Sequence, residues 1–207
     1  MKGGEKYLKT RKSKSLLATS ILIITFLFIW LSGLLGTWPT GMPFIVGDTD
    51  KYHVEKGHTV KGTYSLTVDL TNLESNLGKD LYNDGTHRIY VTHIQTSDHV
   101  GVYEIIFRSS GTYSQSGASL ISGIHHAVIN GNTFTSEMSA KMSTEIDGKT
   151  YENYPLSASW INFRDGDEFG FYIGPTDVLE KDDKILEEKE SMKITVSNLY
   201  QNIWSKN

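Results

Sequence analysis

Between Leu16 and Gly36 the chain runs twenty-one residues without a charge, LLATSILIITFLFIWLSGLLG. A helix of that length rises about 30 Å, the thickness of a bilayer's hydrocarbon core. Immediately before it stand Lys2, Lys6, Lys9, Arg11, Lys12 and Lys14 against Glu5 alone. Cationic flanks stay on the cytoplasmic side of a membrane, so the pattern predicts a cytoplasmic N-terminus and an extracytoplasmic remainder. The run is longer than the apolar part of a secretory signal. Its exit, Leu34-Leu35-Gly36-Thr37-Trp38-Pro39, lacks the small-residue spacing of a cleavage site. The reading is therefore a retained single-pass anchor, with Trp30 and Trp38 toward the outer interface and membrane lipid as the partner of residues 16–36.

This divides the chain into a basic tail over 1–15, a transmembrane helix over 16–36, a linker over 37–50 and one domain over 51–207. Pro39, Gly41, Pro43 and Gly47 punctuate the linker. Phe44, Ile45 and Val46 suit a first short strand or contact with the membrane surface. The formal net charge is −4; the tail accounts for +5, so the remainder carries −9. A domain that acidic repels nucleic acid, which is excluded as a partner. There is no cysteine, so disulfides, thiolate metal sites and a cysteine nucleophile are excluded too.

From Lys51 onward the dominant period is two. Phe134, Ser136, Met138, Ala140, Met142, Thr144 and Ile146 alternate with polar residues up to Asp147, which reads as one long strand with one face buried. Leu66, Val68 and Leu70 alternate in the same way. Shorter strands are expected at Ile89–Val91, Val102–Phe107, Leu156–Phe163, Phe169–Ile173 and Ile194–Val196. Asn130-Gly131, Asp147-Gly148 and Asn83-Asp84-Gly85 supply turn chemistry. Eight to ten strands at this spacing predict an all-β fold, an antiparallel β-sandwich of jelly-roll or immunoglobulin-like kind. Leu70–Asn83 suits a short helix or a long loop. The acidic segment Thr176–Glu190 suits a short helix capped by Thr176.

Specific chemistry is sparse. His125 and His126 are neighbours and point to opposite faces of a strand, so they do not share a metal. His93 falls on the face of Ile89 and Val91 and is expected half-buried. The turn Asp165-Gly166-Asp167 reads as a solvated hairpin; the cation it would take is calcium, through Asp165, Asp167 and Asp177. Glu104 shares a strand face with Arg108, its expected partner. No G-x-S-x-G, HExxH or phosphate-cradling glycine loop is present. Aromatic side chains are the more suggestive feature, because exposed Trp and Tyr stack on sugars or anchor partners. Tyr172, Tyr200 and Trp204 are the candidate ligand-binding residues, while Trp160 is expected to pack in the core. The expected role is a membrane-anchored binding module for a cell-surface polysaccharide or an envelope protein. A wall-polymer hydrolase or other extracytoplasmic enzyme, and a structural subunit of a surface assembly, are the alternatives.

Overall fold

The computed structural model describes residues 4–32, 34–97, 102–130, 133–174 and 189–207. The chain divides into two compact units, Met1–Pro39 and Thr40–Asn207.

In the first unit, helix α1 (Gly4–Leu31) begins inside the basic tail, and α2 (Leu34–Thr40) follows it. The helix expected over 16–36 therefore ends five residues early. Ser32, a weak helix former, stands at the break. Ser32 donates its N–H to Phe28 O (3.0 Å) and its hydroxyl to Ile29 O (2.7 Å). The hydroxyl of Thr25 likewise donates to Ile21 O (2.9 Å), which satisfies a polar group inside an apolar helix. Among the described residues no helix is both long and apolar enough to cross a membrane. The uncharged stretch of α1, Leu16–Leu31, rises only about 24 Å. Its large side chains apart from Ile29 are nonetheless exposed, from Leu27 at 43% to Leu31 at 75%.

The second unit opens on helix α3 (Met42–Gly47), where a strand or a membrane-surface segment was expected. Gly41 enters it at φ +69°, and a Cβ there would meet Arg164 O, so only glycine fits. Met42 N donates to that same carbonyl (2.8 Å). Pro43 sits in the first turn, where its missing N–H costs nothing. Met42, Ile45 and Val46 are buried.

The strands follow in chain order: β1 (Tyr52–Val54), β2 (His58–Thr59), β3 (Thr63–Asp69), β4 (Asp80–Asn83), β5 (Arg88–Thr96), β6 (Tyr103–Ser110), β7 (Thr112–Ser114) and β8 (Gly117–Ser122). Then come β9 (Ile124–Asn130), β10 (Thr133–Met138), β11 (Lys141–Ile146), β12 (Lys149–Asn153), β13 (Pro155–Ala158), β14 (Glu168–Ile173), β15 (Ser191–Ser197) and β16 (Tyr200–Lys206). They form four antiparallel sheets. The orders are β1-β16-β8-β7, with β2 also on β16; β9-β10; β12-β11-β15-β3; and β13-β14-β6-β5-β4.

The last two sheets share one apolar core. Val68, Met142, Ile194 and Val196 come from one, and Ile89, Ile105, Phe107 and Phe171 from the other. A smaller core joins α3 to the first sheet through Met42, Ile45, Tyr52, Leu120, Ile161 and Trp204.

Among the described residues sixteen strands replace the eight to ten expected, because several sequence runs change sheet midway. The long strand Phe134–Asp147 breaks between β10 and β11. There, the N–H groups of Ser139 and Ala140 both donate to Gly123 O (2.9 Å each). Pro155, which lacks an N–H, marks the passage from β12 to β13. The strand expected to reach Phe163 ends at Ala158. In β5 a register shift between Val91 and His93 puts Ile94 inside and leaves His93 exposed, against the half-buried placement its spacing suggested. The Leu70–Asn83 stretch holds a short 3-10 turn, Leu73–Asn76, and then β4. Asn76 is fully buried there. Its amide accepts from Asp69 N (2.8 Å) and donates to Asp69 O (2.7 Å) and Leu73 O (3.0 Å). The segment expected as an acidic helix lies outside the described residues up to position 188.

Candidate functional site

Three features of the β unit bring polar chemistry together. The first is a buried network around Asp167, which is 0% exposed. Asp167 Oδ2 accepts from His126 Nε2 (2.7 Å), and both carboxylate oxygens lie 2.8 Å from Ser122 Oγ. The other ring nitrogen of His126, Nδ1, faces Ser136 Oγ at 3.1 Å. His126 N donates to Asn202 Oδ1 (2.9 Å), and Asn202 Nδ2 donates to Ile124 O (2.9 Å). The edge of the His126 ring meets Trp160 at 5.3 Å, and Trp160 in turn packs on Phe134 at 5.1 Å. This network joins β8, β9, β10, β16 and the turn before β14. Each of these side-chain polar groups has a partner, the condition for burying such groups cheaply.

The second feature is at the β4–β5 turn. Asp84 Oδ1 accepts from the N–H groups of Thr86 (2.8 Å) and His87 (2.6 Å). Its Oδ2 accepts from the Tyr82 hydroxyl (2.9 Å) and faces His87 Nδ1 (3.1 Å). Burial pushes the Asp84 pKa up, but these donors outweigh it and hold the carboxyl below the usual carboxylate range. The same geometry, with burial first, pushes Tyr82 up to about 12. An ionised Asp84 accepts a hydrogen bond from Nδ1–H, and in that tautomer of the neutral ring His87 Nε2 is an acceptor. Ser119 Oγ lies 2.9 Å from that Nε2 and also accepts from Gln201 Nε2 (3.2 Å).

The third feature is a cavity of about 540 Å³ where β10 hands the chain to β11 and β12 hands it to β13. Met138, Met142 and Phe171 give it apolar walls; Lys141, Glu152 and Tyr154 bring charge and an aromatic ring. Tyr154 is 53% exposed. Asn153, also in the wall, is committed to Thr144 Oγ1 (2.7 Å) and Gly174 O (3.2 Å). A volume of this size suits a small ligand or one or two units of a polymer.

The residues singled out from sequence are placed differently. Trp204 is 2% exposed and packs in the smaller core, and its indole N–H has no hydrogen-bond partner among the described residues. Tyr200 is half-buried on β16 and stacks on His125 at 4.2 Å. Tyr172 belongs to another sheet, on β14, and is half-buried. Trp160 is partly buried against the smaller core, as expected.

Asp165 and Asp167 diverge. Asp165 pairs with Arg108 Nη2 (2.7 Å) and accepts from Ser110 Oγ (2.8 Å), while Asp167 turns inward to His126. The turn is thus not solvated on its Asp167 side. Asp177 lies outside the described residues. Among the described residues no group of three or more His, Asp or Glu is arranged to hold a metal ion. Glu104 accepts from Gln95 Nε2 (2.8 Å) and Ser97 Oγ (3.1 Å), not from Arg108.

Sequence reasoning missed His126–Asp167 and His87–Ser119 because each joins strands far apart in the chain. The Asn83-Asp84-Gly85 turn, followed by His87, was the one legible hint.

No family model matches the chain, and comparison with curated proteins and with solved structures likewise finds no match.

Proposed function

We propose that this is a membrane-anchored binding module whose β unit faces outward and takes a polysaccharide or envelope-protein ligand in the cavity bounded by Met138, Lys141, Glu152 and Tyr154. The observation that carries the reading is the cavity itself: about 540 Å³, half apolar in character, with an exposed tyrosine at its wall. An aromatic ring beside a few polar groups is the composition that stacks on sugar faces and orients them. Among the described residues the cavity wall brings together Lys141, Glu152 and the Tyr154 ring, groups that can orient a polar ligand.

Anchoring rests on the uncharged stretch of α1. The exposed leucine, isoleucine, phenylalanine and tryptophan side chains between Leu16 and Leu31 are costly in water and favourable in lipid. The two turns of uncharged chain that follow Leu31 extend the apolar length. The lysine-rich tail sets the direction, with the N-terminus in the cytoplasm. The finer fold assignment, a jelly-roll or immunoglobulin-like sandwich, is part of the same proposal; its support is the single core shared by two of the four sheets.

Affinity electrophoresis of the full chain through gels containing cell-wall polysaccharides tests the binding reading. The expected result is retardation by at least one polymer, weakened about tenfold in Tyr154→Ala, the equivalent of roughly 1.4 kcal/mol. Equal mobility of the native protein and the variant in every polymer removes the cavity as the site.

A further inference from the structure

Ser119, His87 and Asp84 form a hydroxyl–base–carboxylate chain that the binding reading does not use. We propose that Ser119 is an acyl-transfer nucleophile, with His87 as its general base and Asp84 as the positioning residue, acting on a small neutral O-acyl ester of a hydroxylated alcohol such as an acetylated sugar.

Three observations carry this. The nitrogen assignment is the productive one: Asp84 Oδ2 faces Nδ1 (3.1 Å) and Ser119 Oγ faces Nε2 (2.9 Å). The imidazole is 7% exposed, so its orientation is set by these two partners. Ser119 is half-buried and is one of the residues that line a shallow cavity of about 280 Å³ beside β7, β8 and β16.

The buried network around Asp167 makes a useful contrast. There the serine facing the histidine, Ser136, approaches Nδ1, and it is absent from the wall of either cavity described above. The substrate class follows from the walls around Ser119. Thr112, Ser114, Ser116 and Ser205 contribute hydroxyls and Tyr113 an aromatic ring, with no charged side chain among the lining residues. Such a wall suits a neutral polyhydroxylated leaving group.

The step balances without a further reagent. The Ser119 hydroxyl proton moves to His87 Nε2 as Oγ bonds to the acyl carbon. The ester C–O bond breaks, and the departing alkoxide takes the proton from His87 Nε2. Water then gives a proton to His87 as its oxygen attacks the acyl-serine. That proton returns to Ser119 Oγ, and the carboxylic acid leaves. Gln201 Nε2, 3.2 Å from Ser119 Oγ, holds the hydroxyl in place before attack.

The test uses the full chain in detergent, treated with diisopropyl fluorophosphate and mapped by peptide mass spectrometry. Acetate release from p-nitrophenyl acetate and glucose pentaacetate is measured in parallel. Phosphorylation at Ser119 is expected, together with a loss of about 100-fold or more in acetate release for Ser119→Ala. Labelling of the native protein needs no variant to fold. Label on Ser136 or any other serine, or no label at all, overturns the proposal.

Discussion

Asp167 is a carboxyl with no water contact, and its stability depends wholly on His126 and Ser122. Removing it leaves the buried His126 Nε2 without a partner and the Ser122 hydroxyl without an acceptor, its remaining bond being the one it accepts from Ile124 N (3.0 Å). Asp167→Ala is therefore expected to destabilise the β unit by about 3 kcal/mol or more, read from urea unfolding. Asp84 has a pH signature of its own. Its folded-state pKa is depressed, so its contribution is fully present above the ordinary carboxylate value near 4 and is lost as pH falls below it. Native protein is expected to lose stability on acidification below about pH 4. Asp84→Asn, less stable at neutral pH, is expected to show a flatter profile across that window. Parallel profiles would mean that Asp84 contributes no pH-dependent stability. Neither carboxyl's partners were legible in advance. Alternation tells which face a residue occupies, but the partner of Asp167 lies 41 positions earlier in the chain, and that of the Asp84–His87 pair lies 32 positions beyond His87.

At the scale of elements, the strand pattern was readable and the breaks were not. The run Phe134–Asp147 keeps perfect alternation through Ser139 and Ala140, yet the chain changes sheet there because Gly123 O accepts two N–H groups at that point. Only a neighbour distant in sequence supplies that cause. His93 shows the same limit: one extra residue in β5 reverses the faces beyond Val91. Turn glycines were more legible, and the structure separates two kinds. Gly148 has φ +76° and open space around it, so Gly148→Ala is expected to cost only the conformational penalty, about 1 kcal/mol. At Gly166 a Cβ would collide with the backbone carbonyl of Ser109, which cannot move without breaking the edge of β6. Gly166→Ala is expected to cost more than about 2 kcal/mol, with the two compared by thermal unfolding. Equal losses would show that the backbone around Ser109 yields freely.

For the molecule as a whole, the mostly β character of the second unit was legible because period-two alternation and Asn-Gly or Asp-Gly turns recur from Lys51 onward. Division into four sheets with two cores was not, since α3 lies in a stretch whose prolines and glycines read as linker. Pro43 in a first helical turn and Gly41 at positive φ are compatible with a helix that only its burial against Leu120 and Trp204 makes worthwhile. The candidate binding cavity was illegible for a similar reason: Met138, Lys141 and Tyr154 become neighbours only after two changes of sheet. Anchoring is the property on which cellular role turns, and alkaline carbonate extraction of membranes from cells making the full chain tests it most directly. The intact chain is expected to stay in the membrane pellet and to be released only by detergent. Recovery of the protein in the carbonate supernatant, whole or lacking residues 1–36, contradicts a retained membrane anchor.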